Sequence, residues 1–295
     1  MLRYICLAGL VALSQATSAN PPRAAMNQLL DTDRKFATAA AGKTPLDAIS
    51  AMFAADVSVP VGADFVQGKS KAVEAMKANP DYLAGTVGWT PIGGGISADG
   101  TQGFTFGYMN ATKGDGSRAA FKYLAYWVKG ADGWRVAVYR RRPRPDEKVS
   151  TAPMTPALPA RMMHASADIG ATEKHRASLT AAEKAFSDLA QTVGLRAAFA
   201  KNGRPDAVNM GNPKAAAFVV GAEAIAKEVG EGAPTDRSEL EWSADRVLVA
   251  SSGDLGVTIG RIRLHKPQPG QAGVFPFFTI WRRDDPSQPW RYIAE

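Results

Sequence analysis

Hydrophobic residues recur with a helical period near the start of each half of the chain. One stripe has steps of three and four residues through Leu179, Ala182, Phe186, Leu189 and Val193. The corresponding stripe of the first half runs through Leu29, Asp33, Phe36 and Ala40. Thr180 and Glu183 have the spacing of a capping box. Each half is therefore predicted to open with an amphipathic helix that buries one face.

Shorter elements follow each helix in the same order. A second helical piece is predicted over 46–53 and again over 195–200. An extended segment containing Asp56 or Asp206 comes next, and a small helix follows Gly68 or Gly221.

The rest of each half alternates apolar and polar residues with a period of two, which predicts strands. The predicted strands are 87–97, 102–112, 119–129 and 133–141, then 238–250, 255–265, 274–283 and 290–294. Turns at 98–100 and 252–254 have the residues of tight hairpins. Helices first and a strand meander last predict an α+β fold, in which a curved antiparallel sheet wraps around N-terminal helices.

The two halves are copies of one domain. Trp242 lies 153 positions after Trp89 (242 − 89), and the same offset relates Gly100, Gly103, Thr105 and Gly107 to Gly253, Gly256, Thr258 and Gly260. Such a constant offset indicates an internal duplication. We assign a first domain to 20–142, a Pro-rich linker to 143–177 and a second domain to 178–295. The linker is expected to be mobile up to Ala160, with a short helix beginning at 162–164.

The first 19 residues have the composition of a cleavable export signal. Arg3 precedes an apolar run over 4–13 that is too short to span a bilayer, and small residues lead up to Ala19. We expect a periplasmic or secreted protein with no integral membrane span. Cys6 lies inside this segment and is the single cysteine of the chain, so the mature protein has no disulfide or thiol chemistry.

Charge and short motifs exclude several classes of function. The basic run at 139–144 has few interleaved aromatic residues and is interpreted as a solvated domain edge, so no nucleic-acid partner is expected.

The segment from Gly62 to Gly68, followed by Lys69 and Ser70, has five residues between its glycines, whereas a phosphate loop has four. No nucleotide or other cofactor is predicted. His164, His175 and His265 lack partners at metal-ligand spacing, so no metal is predicted either.

The order of elements, the segment 252–260 and the later Trp281 and Trp290 resemble the nuclear transport factor 2-like (NTF2-like) superfamily, in particular its SnoaL-like and uncharacterised exported branch. This resemblance covers nearly all of the mature chain except the linker. It implies two cone-shaped domains, each with a ligand pocket between the concave sheet face and the helices. It also implies a sheet-to-sheet dimer, which the two copies are expected to form within the chain. The fold hosts isomerases, cyclases, dehydratases, toxin-immunity proteins and binding modules, so it does not decide the function.

An isomerase of this fold needs a carboxylate base and a buried hydrogen-bond donor. The catalytic candidates are Asp56, Asp64 and Tyr123, while Asp206 occupies the place of Asp56 in the second copy. Asp99, Asp245 and Asp254 lie around turns, where aspartate is common because its side chain bonds to the nearby backbone. We therefore do not count them as catalytic candidates. The second copy is expected to be less equipped for acid–base chemistry, because Phe277 stands where the first has Tyr123.

Small residues alternate with large ones along 103–107 and 256–260. This pattern leaves space either for a ligand or for a closely packed helix, and we favour close helix packing. The ligand-binding candidates are Trp89, Thr105, Tyr108, Tyr126 and Thr258. The favoured function is binding of a small apolar or amphipathic ligand, or of a partner protein across the sheets. The alternative is a cofactor-independent isomerase or cyclase-like enzyme using a carboxylate base in the first cone. A purely structural role would leave both cones filled.

Overall fold

The computed structural model describes residues 21–295, so the predicted export signal lies outside the described residues. The first domain comprises α1 (Pro21–Ala39), α2 (Pro45–Ser50), β1 (Phe53–Val61), β2 (Asp64–Gln67), α3 (Lys69–Met76), β3 (Thr86–Ile96), β4 (Gln102–Thr112), β5 (Arg118–Gly130) and β6 (Gly133–Arg144). The second comprises α4 (Ile169–Asn202), β7 (Gly203–Asn209), β8 (Val219–Val220), α5 (Ala222–Val229), β9 (Leu240–Val249), β10 (Leu255–Leu264), β11 (Val274–Arg282) and β12 (Arg291–Ala294). The predicted α+β fold with two cone-shaped domains is confirmed.

Both sheets have six strands in the same order. The first is β2-β1-β6-β5-β4-β3 and the second is β8-β7-β12-β11-β10-β9. In each sheet one pair is parallel, β1 with β6 and β7 with β12, and the other pairs are antiparallel. The internal repeat therefore extends to strand order and direction.

The helices pack on the concave faces at glycines of the repeat. A Cβ atom at Gly103 would lie 2.5 Å from Leu29 Cδ2 of α1, and one at Gly256 would lie 2.5 Å from Leu179 Cδ2 of α4. These distances leave no room for a side chain. Gly103 and Gly256 thus serve close helix packing, as favoured from the sequence. Gly107 and Gly260 instead allow close approach of the neighbouring strand, since a Cβ atom there would lie 2.1 Å from the Thr90 carbonyl oxygen and 1.9 Å from that of Ser243.

Helix α4 differs from its predicted form. It begins at Ile169, inside the segment assigned to the linker, and Asp168 is its N-cap. Thr180 and Glu183 do not form a capping box, because both lie in mid-helix and the Thr180 hydroxyl donates to the carbonyl of Arg176. Gly194, with φ 76°, breaks the helical geometry just before the predicted second helical piece. No helix begins at 162–164.

The convex faces of the two sheets pack against each other through an apolar cluster. Its buried members include Phe104, Phe106, Leu124, Tyr126 and Val138 of the first domain and Leu255, Val257, Ile259, Phe278 and Ile280 of the second. The two copies pair within the chain, as the resemblance implied. This pairing also covers the sheet faces that were expected to receive a partner protein.

Two hairpin turns meet at this interface, and each contributes a carboxylate that accepts a hydrogen bond from the other turn. Asp99 accepts a hydrogen bond from the backbone N–H of Ser252 (3.0 Å), and Asp254 accepts one from that of Ala98 (3.1 Å). Arg282, 1% exposed, lies 3.5 Å from Asp254 and donates to the carbonyl of Ile96 (3.0 Å). These turn aspartates join the domains, so the local explanation given to them from sequence was incomplete.

The proline-rich segment does not behave as a mobile linker. The backbone N–H of Met154 donates to the carbonyl of Ile92 (2.7 Å), and that of Ala157 donates to Gly94 (2.9 Å). The segment thus covers the outer edge of β3, which would otherwise expose unpaired backbone groups. Among residues 21–295, no helix combines the length and apolar character that a bilayer span requires.

Candidate functional site

Each cone contains a buried carboxylate that binds residues of the internal repeat. In the first cone, Asp33 of α1 accepts hydrogen bonds from Trp89 Nε1 (2.7 Å) and the Tyr123 hydroxyl (2.8 Å). Thr105 also bonds to Asp33 and accepts one from Trp127 Nε1 (2.8 Å). Burial raises the pKa of Asp33, while these donors oppose the rise. The network anchors α1 to three strands.

The second cone repeats this arrangement with a longer carboxylate. Glu183 of α4 accepts from Trp242 Nε1 (2.6 Å), Trp281 Nε1 (3.0 Å) and the Thr258 hydroxyl. Its pKa is also raised by burial and lowered in part by its donors. The tryptophans and threonines that revealed the duplication are therefore the hydrogen-bond partners of a buried acid in each copy.

The interior of the first cone is filled by side chains. Tyr123 and Tyr139 are each 1% exposed and point into it from β5 and β6. Arg141 packs over two aromatic rings nearer the mouth, with its guanidinium carbon 4.1 Å from the Tyr82 ring centroid and 4.4 Å from that of Phe121. These residues occupy the space in which a ligand was expected.

The second cone contains an open cavity of about 330 Å³. Its apolar lining includes Leu195, Phe199, Val229, Leu240, Trp242, Ile262, Leu264, Phe275 and Phe277. Two side chains are smaller than their counterparts in the first cone. By strand register, Phe277 corresponds to Tyr123 and Glu295 to Tyr139. The cavity lies between the helices and the concave sheet face, where the family resemblance implied a pocket. It belongs to the second copy, which was expected to be the less equipped for acid–base chemistry.

A gap beside β11 connects this cavity with the first domain. β6 pairs with β5 as far as Ala120, whereas β12 pairs with β11 only as far as Ile280. Within the described chain, residues 274–279 of β11 have no strand neighbour on that side. Arg140 and Arg142 of β6 reach the cavity wall from the opposite sheet.

The polar groups of the cavity lie together at this gap. Glu295 accepts hydrogen bonds from Asn209 Nδ2 (3.0 Å) and the Thr279 hydroxyl (3.1 Å). Burial, with repulsion from Glu183, raises the pKa of Glu295 to about 8. Burial and repulsion from Arg142 lower the pKa of Arg140 to about 10, although Glu295 opposes this shift. The site thus combines an apolar chamber with a carboxyl that protonates near neutral pH and a cation.

The structure does not assemble the predicted catalytic group. Asp56 and Asp64 have side chains 60% and 64% exposed, and they form ion pairs with Arg246 and Arg261 at the rim of the domain interface. Tyr123 is buried inside the first cone, on Asp33. The carboxylates therefore lie outside the cone that they were expected to serve. Asp206, which occupies the place of Asp56, is likewise in an exposed ion pair, with Arg204 (2.9 Å).

The predicted ligand-binding residues divide between three environments, and none lines the cavity of the second cone. Trp89, Thr105 and Thr258 serve the two buried carboxylates. Tyr126 lies in the interface between the sheets, where its hydroxyl donates to Gln102 (2.6 Å). Tyr108 also lies in that interface and, with Trp89, borders an open groove of about 1200 Å³ beside β3. The groove is mostly polar and exposed to solvent, so it encloses a ligand less well than the second cone does.

The residues that define the cavity were not predicted from the sequence. Arg140 and Arg142 were interpreted as a solvated edge, and Glu295 was not considered. Their alternation on β6 was a usable signal, because residues two apart on a strand share one face. Glu295 had no such signal, since its position opposite Thr279 depends on the strand register. Residues 21–295 contain no cluster of three or more His, Cys, Asp or Glu side chains suited to a metal ion.

Comparison with known proteins gives likeness in structure alone. No family model matches the chain, and no curated protein matches it. An NTF2-like protein of unknown function from Shewanella oneidensis is 15% identical, with 41% of this chain and 98% of that one covered at a TM-score of 0.31. A ketosteroid isomerase-like protein from Erwinia carotovora is 17% identical (41% and 92% covered, TM-score 0.29). The epoxide hydrolase/cyclase-like enzyme SalBIII, which has a role in pyran ring formation in polyether salinomycin, is 18% identical (42% and 92% covered, TM-score 0.29).

Proposed function

We propose that this chain is an exported binding protein that holds a small, mainly apolar ligand in its second cone. The observation that carries the proposal is the contrast between the cones. One is filled by Tyr123, Tyr139 and Arg141, while the other keeps a cavity of about 330 Å³ lined by aliphatic and aromatic side chains. Binding sites for small molecules are typically cavities of this kind, with a few polar groups that orient the ligand.

Catalysis by Asp56 or Asp64 receives no support from their positions. Both carboxylates are exposed, and each is already paired with an arginine of the second domain. A general base has to lie within hydrogen-bond reach of its substrate in a binding site. We therefore assign these residues to the interface rim.

Native mass spectrometry of the chain, expressed with its own N-terminal segment, tests the binding proposal. We expect a retained small molecule that is lost on denaturation. Leu264→Trp, which places a large ring in the cavity lining, should abolish retention. Leu83→Trp is the matched control, because Leu83 is 48% exposed and far from the lining set. A ligand-free mass for the parent protein, or equal retention by both variants, would refute a ligand in the second cone.

A further inference from the structure

We infer that the ligand of the second cone carries an anionic group, of the carboxylate class, that binds Arg140 of the first domain. This inference rests on the proposed function and names the chemistry of its ligand. It makes the site a composite one, with an apolar chamber from one domain and the cation from the other.

The position of Arg140 is the first argument. Strand register places Arg140 opposite Leu124 and Arg142 opposite Lys122, on the face of β6 and β5 that packs against the second domain. Lys122 donates to the carbonyls of Ala215 (2.6 Å) and Ala217 (3.1 Å), and Arg142 donates to that of Gly211 (3.0 Å). Arg140 makes no hydrogen bond or ion pair with any residue in 21–295, yet it lines the cavity. Of these three neighbouring cations, it alone lacks an acceptor.

The electrostatic balance of the cavity is the second argument. Arg140 is partly exposed at the cavity wall, where its guanidinium can form short, charge-assisted hydrogen bonds with an anion. Glu295 is the one acidic residue of the lining, and its raised pKa leaves it largely protonated at neutral pH. Arg140, with a pKa of about 10, remains charged there. The cavity lining therefore has excess positive charge at neutral pH, and protonated Glu295 can donate a hydrogen bond to an anion beside Arg140.

The size of the chamber limits the rest of the ligand. At the roughly 30 Å³ that a water molecule occupies in the liquid, a volume of about 330 Å³ holds on the order of ten non-hydrogen atoms. A medium-chain or arylalkyl carboxylate fits this limit. Its apolar part would contact Phe275, Phe277 and Ile262, and its carboxylate would face the gap beside β11.

Isothermal titration calorimetry with three probes of equal chain length tests the inference. Octanoate, octanamide and octylamine share an apolar tail and differ in the charge of the head. We expect octanoate to bind at least about tenfold more tightly than octanamide, since hydrogen bonds between two charged groups are roughly twice as strong as neutral ones. Octylamine should bind most weakly, because its cation would face Arg140.

Substitution of Arg140 tests the contribution of the ligand head group to binding, independently of the contribution of the apolar chamber. Arg140→Met should reduce octanoate binding to the level of octanamide and leave octanamide unchanged, while Arg140→Lys should retain part of the preference. Arg118→Met is the matched control, since the Arg118 side chain of the same sheet is 71% exposed. Thermal unfolding of each variant verifies that the fold is intact.

The outcomes distinguish this inference from the proposed function. Equal binding of octanoate and octanamide, insensitive to Arg140→Met, would overturn the anion site and leave an apolar ligand in the second cone. If no probe binds, the molecule retained in native mass spectrometry decides: an acid supports the inference and a neutral or basic molecule overturns it. Absence of both probe binding and a retained molecule would overturn the inference and the proposed function together.

Discussion

Asp99 Oδ2 lies 3.0 Å from the backbone nitrogen of Ser252, although the two residues belong to different domains. The same oxygen accepts from the Ser251 hydroxyl (2.7 Å), and the other carboxylate oxygen accepts from the Ser97 hydroxyl (2.6 Å). Burial alone would raise the pKa of Asp99, but its hydrogen bonds outweigh that effect and hold the pKa below its usual value. The carboxylate therefore acts as an ionised clasp between the two turns.

Removal of this clasp should destabilise the paired domains. Asp99→Ala leaves buried donors of both domains without an acceptor, and we expect the free energy of unfolding to fall by about 2–4 kcal/mol. Chemical denaturation followed by tryptophan fluorescence measures the loss. Asp245→Ala is the control, because Asp245 is 46% exposed and pairs with Arg261 at the surface; it should cost less than about 1 kcal/mol. Similar losses for both variants would contradict the clasp.

The buried acid of the first cone is expected to be structural. Asp33→Ala removes the acceptor of Trp89 Nε1 and of the Tyr123 hydroxyl, so it should lower the free energy of unfolding by about 2–4 kcal/mol. Asp31→Ala, on the exposed side of the same helix, should change it by less than about 0.5 kcal/mol. Both values come from urea denaturation. A stable Asp33→Ala protein would show that α1 is held by apolar packing alone.

Elements with a local sequence pattern were predicted correctly. The strands 102–112 and 255–265 were predicted within a residue of their ends, because a period of two shows which residues face the core. Helix α1 was predicted from its stripe, which includes Asp33, but nothing in a stripe shows that a carboxylate will meet Trp89, 56 positions away. The duplication revealed which residues the copies share. It did not reveal that Glu295 stands where Tyr139 does, because that correspondence depends on pairing between strands.

Stability should depend on pH through Glu295. Its pKa is about 8 in the folded protein and roughly 4.3 in an unfolded chain. Between these values the folded state binds more protons, so the free energy of unfolding should decrease as the pH rises from about 4.5 to 8. Glu295→Gln should flatten this slope, whereas Glu223→Gln, on the exposed face of α5, should leave it unchanged. Parallel slopes for all three proteins would contradict a protonated Glu295.

Residues 150–160 form a strap along the outer edge of β3, and their attachment can be tested by removing one backbone donor. Ala157→Pro deletes the N–H that bonds to the Gly94 carbonyl at 2.9 Å, so residues 150–160 should detach and be cut sooner by a protease. Limited proteolysis followed by mass spectrometry locates the cuts. Ser150→Pro is the control, because the N–H of Ser150 makes no hydrogen bond within the described part of the chain. Equal cutting rates would mean that side-chain packing holds the strap.

Asp56 and Asp64 should be dispensable for the site in the second cone. The double variant Asp56→Asn, Asp64→Asn breaks two exposed ion pairs, and we expect a stability loss below about 1 kcal/mol for each pair. Octanoate binding should be unchanged by calorimetry. Reduced turnover of any substrate in the double variant, with stability preserved, would return these carboxylates to a catalytic role.

The difference between Tyr139 and Glu295 has a consequence for the history of such a chain. In a homodimer of identical subunits, every substitution occurs in both copies, so both cones would open or both would stay filled. A duplicated gene removes this symmetry, because each copy can change alone. One copy can then lose an aromatic ring from its cone, while the other keeps the arginine that reaches the cavity from outside. The asymmetric site between these domains is thus one that fusion permits and that self-association of a single domain forbids.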